Sequence, residues 1–279
     1  MIGADAMAGG AERLERLCKH IRITAGAAGI ERLEAHFHGL AYAPHRHDTY
    51  AIGVTLSGVQ TFRFRGEQWH CLPGQCHILH PDELHDGAAA TDAGFGYRIA
   101  YIDPGLVQEA LQGQHLPFVA NPVVDAAMLA DVYMAGVWDF DSDVDDDARI
   151  EQVVAITNLL TRLVSRGTLK TGPLALGGLL RVRDLIAECP ARRRSMGELE
   201  RAAGIDRWTL ARQFRAAFGT SPSRFRTMRQ LDKVRRLLNS GLSLVDASID
   251  AGFADQSHMS RHFKRTYGLT PGEWMAAAR

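Results

Sequence analysis

The stretch Leu210-Ala211-Arg212-Gln213-Phe214-Arg215, closed by Gly219 and Pro222, decides how this chain folds, because it is written twice. Laid over Met259–Pro271, Arg212 falls on Arg261, Phe214 on Phe263, Arg215 on Lys264, Gly219 on Gly268 and Pro222 on Pro271, each at an offset of 49 residues. Upstream, Ala203-Gly204 pairs with Ala251-Gly252 at an offset of 48, so one residue is gained in the turn after Gly252. A repeat of this length, with Gly and Pro in matching places, is one supersecondary unit used twice.

Each copy reads as helix–turn–helix. Ser195-Met196-Gly197-Glu198 is a capping box that starts a short helix with Leu199, Ala202 and Ala203 on one face. Gly204 turns the chain, Asp206 caps the next helix, and Leu210 and Phe214, at i and i+4, point to the core. Gly219 stands where a helix ends on a left-handed residue. In the second copy Ser243 caps a helix carrying Val245, Ala247 and Ile249, Gly252 turns, Asp255 caps, and Met259 and Phe263 face inward before Gly268. Ser221-Pro222 opens a long connecting helix, and Thr270-Pro271-Gly272-Glu273 opens a last one.

In such a motif the second helix of each pair enters the major groove and its N-terminal residues meet base edges. The outward residues are Arg207, Trp208, Thr209, Ala211 and Arg212 in one copy, and Gln256, Ser257, His258 and Arg261 in the other. Arg pairs bidentately with guanine and Gln with adenine, and small methyls meet thymine. Arg215, Lys264 and Arg265 suit phosphate instead. Alanine-rich helix pairs also occur in ordinary bundles, where the arginines are a solvated face. A duplicated, capped unit at fixed spacing separates this chain from those.

The pattern Leu210-Ala211-Arg212-Gln213-Phe214-Arg215, Gly219, Ser221-Pro222, Arg229, Leu237-Leu238, Gly252-Phe253-Ala254-Asp255, Ser260-Arg261-His262-Phe263-Lys264 and Gly268-Leu269-Thr270-Pro271 resembles the AraC family of bacterial transcription regulators. The resemblance covers about a hundred residues. It departs at Met259, where the family often has an aromatic or leucine, and at Glu273-Trp274-Met275, where a Tyr-Arg pair is common. It implies two recognition helices joined by a long helix, entering successive major grooves of double-stranded DNA. Contact with RNA polymerase, activation and homodimerisation are further implications.

The neutral formal charge hides a division. Residues 176–279 hold 19 Lys and Arg against 10 Asp and Glu, a surplus of +9, and residues 1–175 hold 13 against 22, or −9. The basic half supplies the field that DNA phosphates require. No apolar run is long enough to span a membrane, and residues 1–20 lack an apolar signal core. A cytoplasmic location is expected. Cys18, Cys71, Cys76 and Cys189 show no metal-ligand spacing and read as reduced thiols.

Residues 1–30 read as an N-terminal arm, with one short helix around Leu14, Leu17 and Ile21. From Glu31 the period changes to two. Leu33, Ala35 and Phe37, then Tyr50, Ile52, Val54 and Leu56, then Phe62 and Phe64, then Tyr97, Ile99 and Tyr101 alternate between Gly, Pro and Asp turns. Short alternating strands of this kind predict an antiparallel sandwich or barrel. Residues 31–103 resemble the cupin-type sensing domain that often precedes the DNA-binding half in this family.

Eight of the 12 histidines lie between His36 and His85. His45, His47 and His85 are candidates to line the barrel mouth and hold a small polar effector, or to satisfy one another and nearby backbone. Tyr50, Trp69 and Tyr97 are further ligand candidates, with Arg46 and Arg63 as weaker ones. His70, His77 and His80 read as surface or structural. Metal-binding cupins usually carry Glu four residues after the second His; Ala51 stands there, so neither a metal nor another cofactor is expected. Three histidines could still hold an ion with an open position.

Val123–Trp138 reads as a helix, Asp139–Asp147 as an acidic loop or helix start, and Arg149–Leu163 as an amphipathic helix that packs on the barrel or on a second subunit. The expected organisation is α+β in two domains: an arm (1–30), a cupin-like antiparallel β-barrel with trailing helices (31–165), a linker (166–173) and an all-α domain with two helix–turn–helix motifs (174–279). The leading reading is a ligand-responsive transcription regulator that is not an enzyme. Two alternatives stand beside it, a metal-dependent cupin enzyme with a DNA-binding tail and a regulator whose barrel is only a dimerisation scaffold.

Overall fold

The computed structural model describes residues 18–25, 28–141, 144–164 and 174–277. Leu14, Leu17 and the expected linker at 166–173 lie outside them.

The N-terminal domain consists of two antiparallel sheets. One runs β1 (Cys18–Ala25), β2 (Ile30–Phe37), β9 (Phe95–Ile102), β4 (Tyr50–Gly58), β7 (Cys76–Leu79), β10 (Val123–Val124). The other runs β3 (Leu40–His45), β8 (His85–Ala89), β5 (Gln60–Phe64), β6 (Glu67–Cys71). Alternation along each strand gives two cores. Phe37, Ala51, Phe62, Phe64, Leu79, Phe95, Tyr97 and Ile99 meet between the sheets. Tyr50, Ile52, Val54, Ile78, Ala100 and Ile102 face the other way, against the helices. Strand β4 is therefore buried on both faces over most of its length. Gly53 lies on it because His77 occupies the space: a Cβ there would sit 2.3 Å from the imidazole.

Residues 18–25 are not part of an arm. They pair with β2 from Ala25↔Glu31 to Cys18↔Phe37, so Ile21 belongs to a strand rather than a helix. The stretch from Val123 is likewise not one helix. Val123-Val124 adds to β7, a 3-10 turn covers Ala126–Met128, and only Ala130–Met134 is α-helical (α2) before Gly136 turns at φ +68°. The β-branched pair favours the sheet edge, and glycine stops the helix.

Asp103 caps the short helix α1 (Pro104–Ala110) by accepting from the Gly105 amide. The acidic run resolves into a helix start: Asp145 accepts from the Ala148 amide and caps α3 (Asp146–Leu163), while Asp141 pairs with Arg22. Val153, Ile156, Leu159 and Leu160 of α3 join the outer core of the six-stranded sheet. Ile150 and Val154, expected on the same stripe, are exposed at 56% and 45%.

The C-terminal domain is all-helical: α4 (Leu176–Glu188), α5 (Met196–Ala203), α6 (Arg207–Phe218), α7 (Pro222–Asn239), α8 (Leu244–Asp250), α9 (Gln256–Tyr267) and α10 (Pro271–Ala277). The capping box at Ser195 and Glu198 forms in both directions. Asp206, Ser221, Ser243 and Asp255 each accept an amide at the start of their helices. Each repeat has its own core. Leu199, Leu210, Phe214 and Phe218 pack with α4, and Ala247, Met259, Phe263 and Trp274 pack together in the second. Helix α7 spans both, with Phe225 in the first and Leu231, Val234 and Leu238 in the second.

Candidate functional site

The start of α6 presents Arg207, Trp208, Ala211 and Arg212 as exposed residues, with Thr209 half-buried. Trp208 is 78% exposed. In α9, Ser257 and Arg261 are exposed and Gln256 and His258 half-buried. The residues expected to read bases thus lie on the accessible part of each recognition helix. Their environments differ. Arg207 is committed to Glu200 by two parallel bonds of 3.1 and 3.0 Å, and these bonds hold the Glu200 carboxyl below its ordinary range. Arg212 and Arg261 are in no ion pair among the described residues. His258 and His262, one turn apart, bring their Nε2 atoms to 3.0 Å.

A second site lies where the domains meet. A cavity of about 390 Å³ is walled by Ile23, Leu33, Tyr42, His45 and His47 from the sheets and by Arg229, Arg236, Tyr267, Leu269 and Trp274 from the helices. Ion pairs cross the junction around it. Arg229 lies 2.7 Å from Asp48 and Arg235 lies 2.6 Å from Glu31. Farther along, Arg224 reaches Asp82 at 2.9 Å. Arg215, expected on phosphate, leans toward the same Asp82 at 3.7 Å. Backbone joins in as well: the Arg46 amide donates to the Arg265 carbonyl at 2.9 Å, and the Leu116 amide donates to that of Ala216 at 3.1 Å. Burial pushes Asp48 up to about 6, and Arg229 offsets only part of this.

The structure brings three of the six expected ligand residues together. His45 and His85 are register partners on β3 and β8. Their rings lie 4.3 Å apart, and His47 is 4.8 Å from His85. Each ring keeps Nδ1 near a backbone carbonyl, of Ala43, Thr49 and Glu83, at 2.9, 2.9 and 3.0 Å. Burial lowers His45 to about 4, burial and neighbouring His45 lower His47 to about 3, and His85 falls well below its ordinary value for the same reasons. The three are neutral at pH 7.

The other three candidates sit elsewhere. Tyr50 points into the outer core and donates to the Pro117 carbonyl, away from the histidines. Trp69 is half-buried at the rim of the inner core. Tyr97 stacks on Phe37 and Phe95 inside the sandwich and bonds Tyr42, itself a wall of the cavity, at 2.8 Å. Arg63 is exposed, His70 is exposed, and His77 and His80 are buried. Asp48, Arg229, Arg235 and Tyr267 carried no local signal of a site. They are separated by some 180 residues and meet only through docking of the two domains.

Comparison with known proteins follows this division. The AraC-like ligand binding domain matches residues 27–140, and a helix-turn-helix domain matches residues 199–277. The chain belongs to the AraC family of transcriptional regulators. It is a DNA-binding regulator with an N-terminal ligand-binding domain. The HTH-type transcriptional regulator YbfI of Bacillus subtilis is 24% identical over 246 residues, covering 82% of this AraC-family chain and 88% of that protein. The transcriptional activator NphR of a Rhodococcus species is 30% identical over 141 residues, covering 49% and 42%. Among solved structures, ToxT from Vibrio cholerae shares the fold with a TM-score of 0.63 at 12% identity, covering 88% of this chain and 98% of ToxT. A second ToxT structure, holding an unsaturated fatty acid, aligns with a TM-score of 0.62 at 13% identity, covering 90% and 96%. No described helix is long and apolar enough to cross a membrane.

Proposed function

We propose that this regulator reads its operator through α6 and α9 and answers to a small molecule held at the junction of its two domains. Arg212, Arg261 and Gln256 meet base edges. Trp208, Thr209, Ala211, Ser257 and His258 complete the contact, and Arg207 joins it by exchanging Glu200 for DNA. The observation that carries the effector reading is the cavity itself. Its walls come from both domains, so an occupant binds one relative placement of the domains better than another and shifts that equilibrium. The lining pairs an apolar floor of Ile23, Leu33 and Leu269 with Arg236, Asp232 and Asn239, which suits a small amphiphile with a polar end. ToxT, which shares the fold, has been solved with a fatty acid bound. The chain acts in the cytoplasm, as a homodimer without enzymatic activity, and contacts RNA polymerase when it activates.

The test is selection of duplexes from a random library by the full chain at fixed salt, since phosphate contacts alone give salt-dependent affinity. Enrichment of a motif in two blocks, weakened by Arg212→Ala in one block and by Arg261→Ala in the other, is expected. Absence of any enriched motif overturns the DNA reading. The effector reading is tested separately with a panel of small amphiphilic acids. A compound that changes operator affinity for the native chain, but not for Leu269→Trp, supports the cavity. A response that survives Leu269→Trp overturns it.

A further inference from the structure

We propose that His45, His47 and His85 form a three-imidazole site for a divalent transition-metal ion, with zinc the closest match. This inference is independent of the identity of the effector.

The argument begins with hydrogen positions. A carbonyl oxygen only accepts, so each Nδ1 lying 2.9–3.0 Å from the carbonyls of Ala43, Thr49 and Glu83 carries the proton. Each Nε2 is then a bare lone pair. One nitrogen from each ring lies within 4.8 Å of the others, and with each Nδ1 committed to a carbonyl, Nε2 is the nitrogen left to bind. The Nε2 of His47 is buried without any hydrogen-bond partner. All three side chains are buried, at 6, 7 and 4% exposure.

Three lone pairs that converge in a buried place repel one another and forgo their hydration. A cation among them removes both costs. A single proton satisfies one ring and leaves the other two lone pairs without a partner. A metal is a good candidate. Metal-bound histidines characteristically give their other ring N–H to a backbone carbonyl or carboxylate, which fixes the tautomer and aims the ring, and here all three do so. Three neutral nitrogens without a carboxylate suit zinc, copper, nickel or cobalt and not magnesium or calcium. Zinc held by three histidines keeps a fourth position open. Tetrahedral zinc sets its nitrogens about 3.3 Å apart, so the rings would close by rotation about their side-chain bonds. His45 and His47 also wall the interdomain cavity, so the ion would lie at its edge, bound by three neutral rings and no carboxylate. An anionic oxygen is the ligand such an ion attracts. Ala51, in place of the expected carboxylate ligand, leaves the fourth position open to it.

The experiment uses untagged full-length protein stripped with chelator. Cobalt(II) is titrated and followed by its visible d–d absorption, and zinc is then titrated in competition with a chromophoric chelator. The expected result is one equivalent of each, a cobalt spectrum of low coordination number and no thiolate charge-transfer band, since no cysteine joins the set among the described residues. His47→Gln and His85→Gln, checked for folding by circular dichroism, should each weaken zinc by at least ten-fold. His262→Gln, which removes the His258–His262 imidazole pair, should leave it unchanged. Failure of the native protein to bind cobalt or zinc stoichiometrically overturns the proposal whatever the variants do. So does binding that survives His47→Gln and is lost in His262→Gln.

Discussion

The guanidinium of Arg229, on the helix that joins the two DNA-reading units, lies 2.7 Å from the carboxylate of Asp48, the neighbour of His47 in the sheet domain. Asp232 flanks the same guanidinium at 3.1 Å. Burial opposes the charge on Arg229, but the surrounding carboxylates outweigh it and raise its pKa. Arg229→Ala leaves two carboxylates facing one another in a poorly solvated place. It should cost on the order of 3 kcal/mol, as removal of one member of a buried pair does. Asp48→Asn in the same chain should restore part of the loss. Urea denaturation of the two single variants and the double variant measures the coupling, and strictly additive effects would dismiss the pair as a link between domains.

The repeat places two glycines against the sheet domain. Gly219 and Gly268 both have φ near +73°, a conformation that costs a residue with a Cβ roughly 1–2 kcal/mol. Their neighbours differ. A Cβ on Gly219 would come within 2.5 Å of Pro81, whereas on Gly268 it would lie 3.2 Å from His45 and Tyr42. Gly219→Ala should therefore lower stability more than Gly268→Ala. Pro81→Gly, which removes the Cβ that faces Gly219, should reduce the difference without removing the cost common to both. Equal thermal shifts for the two glycine variants would contradict the contact.

Arg212 and Arg207 lie five residues apart on one recognition helix and should behave differently. Arg212 is exposed without an ion pair among the described residues, and Arg212→Ala should remove about 1–3 kcal/mol of discrimination at one base pair. Arg207 must first leave Glu200. Glu200→Gln should therefore tighten DNA binding on all sequences, by removing both a competitor and a negative charge. Competition binding against matched and mismatched duplexes at one salt concentration distinguishes the two effects.

His80 gives the pH dependence a definite sign. The Val119 amide donates to its Nε2 at 3.1 Å, which requires a neutral ring. Burial, aided by Arg65, lowers its pKa from 6.5 to about 4. The unfolded chain binds the proton more readily, so this contribution is complete above pH 6.5 and is lost as the pH falls toward 4. Between pH 7 and pH 5 the loss is about 2 kcal/mol. His80→Gln keeps an acceptor for Val119 and does not titrate, so its urea midpoint should fall less over that interval. An unchanged acid slope would assign the loss to other groups.

What the sequence determined by itself was everything local. The caps at Ser195, Asp206, Ser221, Ser243 and Asp255, the turns at Gly204 and Gly252 and the apolar spacing of Leu210 and Phe214 each act within a few residues, and a duplicated local code announces itself by its period. The alternating strands were legible for the same reason, and so was the crowding of His45 and His47. Where neighbours in space decided, the sequence was silent or misleading. Residues 18–25 are a strand because the edge of β2 pairs with them, and Tyr50 turns from the histidines because β4 register gives even positions to the outer core. Ile150 and Val154 carry the helical period of buried residues and lie exposed, since period sets a face but not what covers it. Only docking of the domains brought Arg229 to Asp48 and walled the cavity between them. Those contacts join residues far apart in the chain, and no local spacing encodes them.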